Sequence, residues 1–408
     1  MASASCSTAT EAGRMWREIP YMPLFATLFV QALATMSAYS IPAAAPAIAA
    51  DVGVDGARVG LFISIVYGVG IFSAVLSPSF VHRFGAVRVS QVILVCTIIM
   101  LLTAALGGTA GAIALGGVLL GFAYGATAPS SSHLLISRTP VRLRNLVFSI
   151  RQIGVPLGGV MGGLLVPPLV LGFDWQTALL VQLGPAILLL VLLQAMRTEY
   201  DADRDVARAL TRGNALAPLR LLVELPEVRT LCIAMFCYAG AQLCFIAFMA
   251  VHLTSMAEMS LIRAGQALAM FQVAGVISRP IWGWMADNVI SARLLLALHG
   301  IVMAGTALAA GQFGADWSYA LILLVCAVAG ATASGFTGIA FAEYARIGGP
   351  GRTAESSGLA AAMMFLGVMS MPAIFSVMIA SGQSYGVAYG AVAIVTGLSG
   401  LMLLRRGG

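Results

Sequence analysis

Residues 197–229 read RTEYDADRDVARALTRGNALAPLRLLVELPEVR, a stretch with six arginines and six acids near the middle of a 408-residue chain. On both sides of it the polar character disappears. A membrane-spanning helix needs about 20 apolar residues, and polar punctuation marks off twelve such runs. They cover 22–49, 58–79, 90–108, 110–136, 145–170 and 175–196 before the polar stretch, and 230–253, 264–285, 292–312, 318–341, 357–380 and 386–404 after it. The sequence therefore predicts a six-helix bundle over 1–196, a cytoplasmic linker over 197–229 and a second six-helix bundle over 230–408. A mixed-charge seam between two equal apolar halves is the mark of an internally duplicated membrane protein.

Composition agrees. The chain is 60% hydrophobic and 9% charged, against roughly 25% charged in an average soluble protein. So few charges cannot cover an apolar core in water, and so much apolar surface cannot stay disordered. All 22 basic residues are arginine, against 16 acids, and they fall in short loops, which leaves no basic patch for nucleic acid. Cys6 lies in the polar tail, and Cys96, Cys232, Cys237, Cys244 and Cys326 lie within apolar runs as small hydrophobes. With four scattered histidines, neither a metal nor a cofactor is expected. The sequence AAAPAIAA at 43–50 imitates a signal-peptidase site, but the run before it is about twice the usual signal core. It reads as a retained helix behind a short cytoplasmic tail.

Orientation follows from the arginines. With the N-terminus inside, the inner side receives Arg14, Arg17, Arg83, Arg88, Arg138, Arg142, Arg144, Arg197, Arg204, Arg208, Arg212, Arg220, Arg229, Arg293, Arg346, Arg352, Arg405 and Arg406; the outer side receives Arg58 and Arg263. Eighteen against two is a positive-inside asymmetry that requires an even helix count with both termini cytoplasmic. A multi-pass protein of a bacterial inner membrane, in contact with lipid and monomeric, is the expectation.

The halves repeat weakly. SPSFVHRFGAVR (77–88) follows the second run and SRPIWGWMADNVISAR (278–293) closes the eighth, so that His82 aligns with Asp287 and Pro78 with Gly283. GFAYGATA (121–128) and GFTGIAFA (335–342) share the fourth place of each half. On these residues the chain resembles the major facilitator superfamily over essentially its whole length. That family's loop motif, Gly-x-x-x-Asp-Arg-x-Gly-Arg-Arg, keeps its basic and turn positions at Arg83, Gly85 and Arg88, while the second copy keeps Gly283 and Asp287. The resemblance implies a cytoplasmic gate made by these five residues, with a carboxylate and arginines bonding in one state and releasing in another. Plain positive-inside punctuation is the structural alternative. SIRQIGVPLGGVMGG (149–163) is similar to the Gly-Pro-x-x-Gly-Gly motif of family antiporters, with the proline off by one, and its small residues are explained by close helix packing alone. The arginine that proton antiporters carry on the fourth helix is replaced by Gly117.

Three ionisable residues remain inside apolar runs: Arg151, Arg279 and Glu343. A charge at mid-membrane costs about 2.5–3.5 kcal/mol on insertion scales, so each should face a partner or a watery cavity. In FQVAGVISRPIWG (271–283), Gln272, Val276, Arg279 and Gly283 share a helix face. A guanidinium beside an amide and small residues suits a carboxylate, which it binds bidentately. The segment resembles the Arg-Pro-x-x-Gly stretch of monocarboxylate porters, which implies substrate binding by Arg279; Gly275 stands where those porters carry an acid. Arg151 with Gln152 resembles the basic-Gln pair of permeases related to cyanate transporters. Backbone or Asp287 pairing for Arg279, snorkelling for Arg151 and a salt bridge from Glu343 to Arg346 are the structural alternatives. Glu343, the lone acid of the spans, is the candidate for carrying a coupling proton. Tyr238 and Gln242 on the seventh run, Gln31 and Tyr39 on the first, and Tyr124 on the fourth are expected to complete the cavity, which the family places between helices 1, 4, 7 and 10.

The expectation is an all-helical, twelve-span transporter whose halves rock around a midplane site. It moves a small organic anion, a monocarboxylate, together with a proton. Efflux of hydrophobic or cationic compounds and a non-transporting receptor are the competing readings. An intramembrane enzyme would need a catalytic cluster, and His133, His252 and His299 have no such company.

Overall fold

The computed structural model describes residues 18–53, 56–210 and 216–404. Cys6, Arg14, Arg17, Asp55, Arg212, Arg405 and Arg406 lie outside the described residues, as does the side chain of Arg58. Every regular element among the described residues is helical. This follows from the solvent, because a chain in hydrocarbon must satisfy its backbone internally.

Twelve long helical passages run back and forth. Eleven combine the length and apolarity of a membrane span, and the remaining one is the eighth passage, Leu261–Asn288, a continuous helix of 28 residues. Gln266, Gln272, Ser278, Arg279 and Asp287 lower its apolar character. Several turns are closed by side-chain caps: Thr109, Asp174, Ser260, Ser291 and Ser318 each accept a bond from the backbone N–H three residues on.

Glycines set how closely the spans approach. A Cβ on Gly125 would meet the backbone of Gly70 and Ala74, one on Gly158 the Ala32 carbonyl, one on Gly330 the Phe271 backbone, and one on Gly367 the Phe236 backbone. These contacts join spans 4 and 2, 5 and 1, 10 and 8, and 11 and 7, as expected where lipid supplies no hydrophobic drive and packing must hold helices together. One buried apolar cluster draws almost wholly on the first six spans and another mainly on the last six.

Four spans that read as continuous runs are interrupted, the first at Ala44 and the sixth at Val181 and Gln182, and the other two interruptions bear on the site. The fifth divides into Arg144–Arg151 and Gly154–Gly172, and the tenth into Tyr319–Ala333 and Thr337–Gly348. Pro156 explains the break in the fifth: it has no N–H to return to the carbonyl of Gln152, four residues earlier. In the tenth span Ser334 and Gly335 sit at the interruption, residues that favour turns over helix interiors. Both breaks face the same guanidinium.

Candidate functional site

Arg279 is almost fully buried between the two breaks. Its Nε donates to the carbonyl of Ser334 at 3.1 Å, one terminal nitrogen donates to the Ser334 hydroxyl at 3.1 Å, and the other donates to the carbonyl of Gln152 at 3.0 Å. Gln152 and Ser334 are the C-terminal caps of two half-helices. The Gln152 carbonyl also takes the Val155 N–H at 3.3 Å, so Arg279 fills its remaining lone pair at a helix end, a place that favours a cation. Backbone pairing, one of the structural alternatives for Arg279, is thus what holds it; Asp287 does not.

Arg151 is built from the opposite side. It lies at the end of the first half-helix of span 5 and donates to Gln31 Oε1 at 3.0 Å, to the Thr127 carbonyl at 3.1 Å and to the side-chain oxygen of Gln152. Gln31 in turn donates to Thr35 at 3.1 Å, and Thr35 lies 3.3 Å from the Tyr124 hydroxyl. On the other flank Gln242 donates to the Ser334 hydroxyl at 3.3 Å. One polar chain therefore crosses the molecule through Gln152, whose backbone carbonyl serves one arginine and whose amide serves the other.

Among the described residues neither arginine has an acid within salt-bridge distance. At each break the C-terminal end of one half-helix is followed, after two or three residues, by the N-terminal end of the next, so the dipole ends largely offset one another and the two guanidinium charges are left without an anionic partner among the described residues. Donors are also spare. A guanidinium has five N–H groups; each arginine uses three on the bonds above, and Arg151 Nε is buried with no acceptor.

Both arginines line a central cavity of about 110 Å³, together with Gln31, Tyr39, Tyr124, Gln152 and Gln242. The structure thus brings together seven of the nine residues expected to bind substrate. Gln272 lines an adjoining cleft instead. Tyr238 does not join them: it is one helical turn from Gln242 toward the linker, packs its ring on Phe336 and donates to the Leu296 carbonyl at 3.0 Å. Sequence reasoning missed Tyr67, Phe365 and Thr337, which also line the cavity. Tyr67, Tyr124 and Phe365 form a ring cluster with centroids 5.3–5.8 Å apart. Glu343 does not line the cavity, and both its oxygens accept from Arg346, at 2.7 and 2.8 Å.

The expected gate residues lie at the linker end of the bundle. Asp287 accepts from the backbone N–H groups of Asn145 and Leu146, at 3.1 and 2.9 Å, and from Asn145 Nδ2 at 2.8 Å, so it caps the fifth span from the eighth. Gly283 makes that approach feasible, since a Cβ there would meet Asn145 and Leu146. Gly85 has φ of +94°, a conformation that favours glycine, and a side chain there would collide with Asp201. Asp201 accepts from the Val87 and Arg88 N–H groups at 2.8 and 3.0 Å; burial pushes its carboxyl pKa up, and those two bonds oppose the shift. Arg83 donates to the Arg208 carbonyl and Arg88 to Gln91, so neither arginine bonds a span of the second half.

This arrangement, helical passages meeting at a central polar site, is that of a membrane transporter. The sequence profile of the Major Facilitator Superfamily matches residues 27–368, and the chain belongs to that family. It is 26% identical over 277 residues to the 4-hydroxybenzoate transporter PcaK of Pseudomonas aeruginosa, covering 60% of this chain and 61% of that one. Against the 4-hydroxybenzoate transporter PcaK of Acinetobacter baylyi it is 28% identical over 157 residues, 38% of this chain and 34% of the relative. The matches thus span between one-third and three-fifths of these relatives' lengths. The fold is similar to that of the E. coli fucose:proton symporter FucP, with a TM-score of 0.75 at 15% identity, covering 95% of this chain and 98% of that one.

Proposed function

We propose that the protein transports a small organic monocarboxylate, in the first instance an aromatic acid, by alternating access between its two six-span halves. The observation that carries this reading is the pair of buried arginines without an acid partner, joined through Gln152 and each with two N–H donors not engaged by the protein. Guanidinium charge with no acid partner calls for an anion, and its planar fork binds a carboxylate bidentately. The cluster of Tyr67, Tyr124 and Phe365 supports an aromatic body, as does the substrate named for the PcaK relatives. The linker end faces the cytoplasm of a bacterial inner membrane on the arginine count. Glu343 carries the coupling proton only in a state that releases it from Arg346.

Uptake of labelled benzoate and 4-hydroxybenzoate into proteoliposomes, with an internal pH dye, tests the proposal. Uptake that acidifies the lumen and rises with an inward proton gradient is expected. Arg279→Gln should weaken binding roughly thirtyfold or more, the scale of losing one partner of a desolvated charge pair. Carboxylate uptake that survives Arg279→Gln, or transport confined to organic cations, would overturn the reading.

A further inference from the structure

The central cavity does not end at the arginines. Tyr39, Gln242 and Arg279 also line a second space of about 480 Å³, which runs between the fifth and eighth spans away from the linker end. Its lining changes along its length. Arg279 and Ser334 stand at the inner end, and beyond them the walls are Val155, Pro156 and Val160 on one side and Val276, Ile277 and Val273 on the other, with Gln272 two helical turns out from Arg279, level with Val273. At its mouth Val160, Val273 and Ile277 are 52%, 52% and 58% exposed, so the cleft opens sideways, where a bilayer would meet the bundle. The opposite seam, between spans 2 and 11, is filled by contrast: Phe365 packs on Tyr67, and Gly358 lies against the Ala74 carbonyl.

We propose that this cleft is a subsite for the apolar tail of an amphiphilic monocarboxylate whose head sits at Arg279. The inference rests on the anion reading above and deepens it. A charged inner end is followed by walls that are mainly apolar, and the only charge in the lining is the guanidinium of Arg279. The central cavity is less than a quarter of the cleft's volume, so an acid with a substantial apolar body extends into the cleft. Such a tail gains the transfer free energy of each buried methylene.

Displacement of labelled benzoate from the purified full-length protein by acetate, butanoate, hexanoate and octanoate, whose chains leave the carboxylate with no ring to seat on Tyr67 and Phe365, reads this directly. Affinity is expected to rise roughly fourfold per methylene until the cleft is full. Gly159 lies on the cleft wall and a Cβ there meets open space, so the backbone admits a side chain and Gly159→Phe narrows the channel. That variant should bind benzoate within about twofold of the parent and lose the gain with tail length; Val273→Phe, from the facing wall, should do the same. A flat series in the parent protein, or a gain that persists in both variants, would overturn the tail subsite while leaving the anion reading intact. Failure of every acid to bind would remove both.

Discussion

The two seams that join the halves at the linker end occupy equivalent places in the repeat and are closed by opposite chemistry. Between spans 5 and 8, the Asp287 carboxylate sits on the amides that open a helix, with a neutral asparagine beside it. Between spans 2 and 11, the aligned position is His82, and the acid has moved across the seam to Glu355 in the first turn of the eleventh span. His82 Nε2 lies 3.0 Å from Glu355 Oε2, and Arg208 of the linker donates to Oε1 at 3.3 Å. His133 lies edge-on to His82, with centroids 5.2 Å apart, and contacts Asp203 at 3.3 Å. Asp203 is held below its usual carboxylate range, mainly by the bond from His133, with burial opposing. One seam is thus a helix cap that works alone, and the other needs the linker. Each seam has an acid at a helix start, but the acid comes from the eighth span at one and from the eleventh at the other.

Substitutions at the two seams should separate these roles. Asp287→Ala removes all three bonds of the cap and leaves two helix-start amides without that partner. It should cost the closed state about 2 kcal/mol, roughly a thirtyfold shift toward opening at the linker end. Spin labels at Ser137 and Asn288, both exposed, read that shift as a longer distance in pulsed resonance; an unchanged distribution would remove Asp287 from the gate. Glu355→Gln keeps the shape but loses the charge that Arg208 meets, and about 1 kcal/mol, roughly fivefold in the same equilibrium, is expected. An effect as large as that of Asp287→Ala would mean that the seams share the load equally. Arg83→Ala removes one bond to the linker backbone and should change the equilibrium by no more than about twofold, near the lower limit for a single hydrogen bond.

Those expectations also mark where the sequence stopped being readable. Asp287, Gly283 and Arg279 were legible because a charge or a glycine in an apolar helix stands out against its neighbours. Glu355 did not stand out: in TAESSG it looks like any acid at a helix start, and its partner lies 273 residues away. Arg151 and Gln152 were legible as a pair, whereas the break between them and Pro156 was not, since hydropathy cannot tell a broken span from a whole one. Ser334 was hidden for the same reason, being one small polar residue in a run of Gly, Ala and Thr. Tyr238 shares a helical face with Gln242, but a shared face does not show where along the helix the cavity ends. Tyr67 and Phe365 had no signal of their own, because an aromatic residue in a span is ordinary until a second one meets it.

The low apolarity of the Leu261–Asn288 helix bears on how the protein is made. A segment that carries a mid-membrane arginine, at about 2.5–3.5 kcal/mol on insertion scales, partitions poorly from a translocation channel on its own. Its compensating carbonyls belong to Gln152, synthesised well before it, and to Ser334, synthesised after it. The eighth helix is therefore expected to enter the bilayer against the fifth span, whose Gln152 carbonyl is already in place, and to gain its last partner when the tenth emerges. The residue that gives the site its charge thus also makes its own helix depend on neighbours made before and after it.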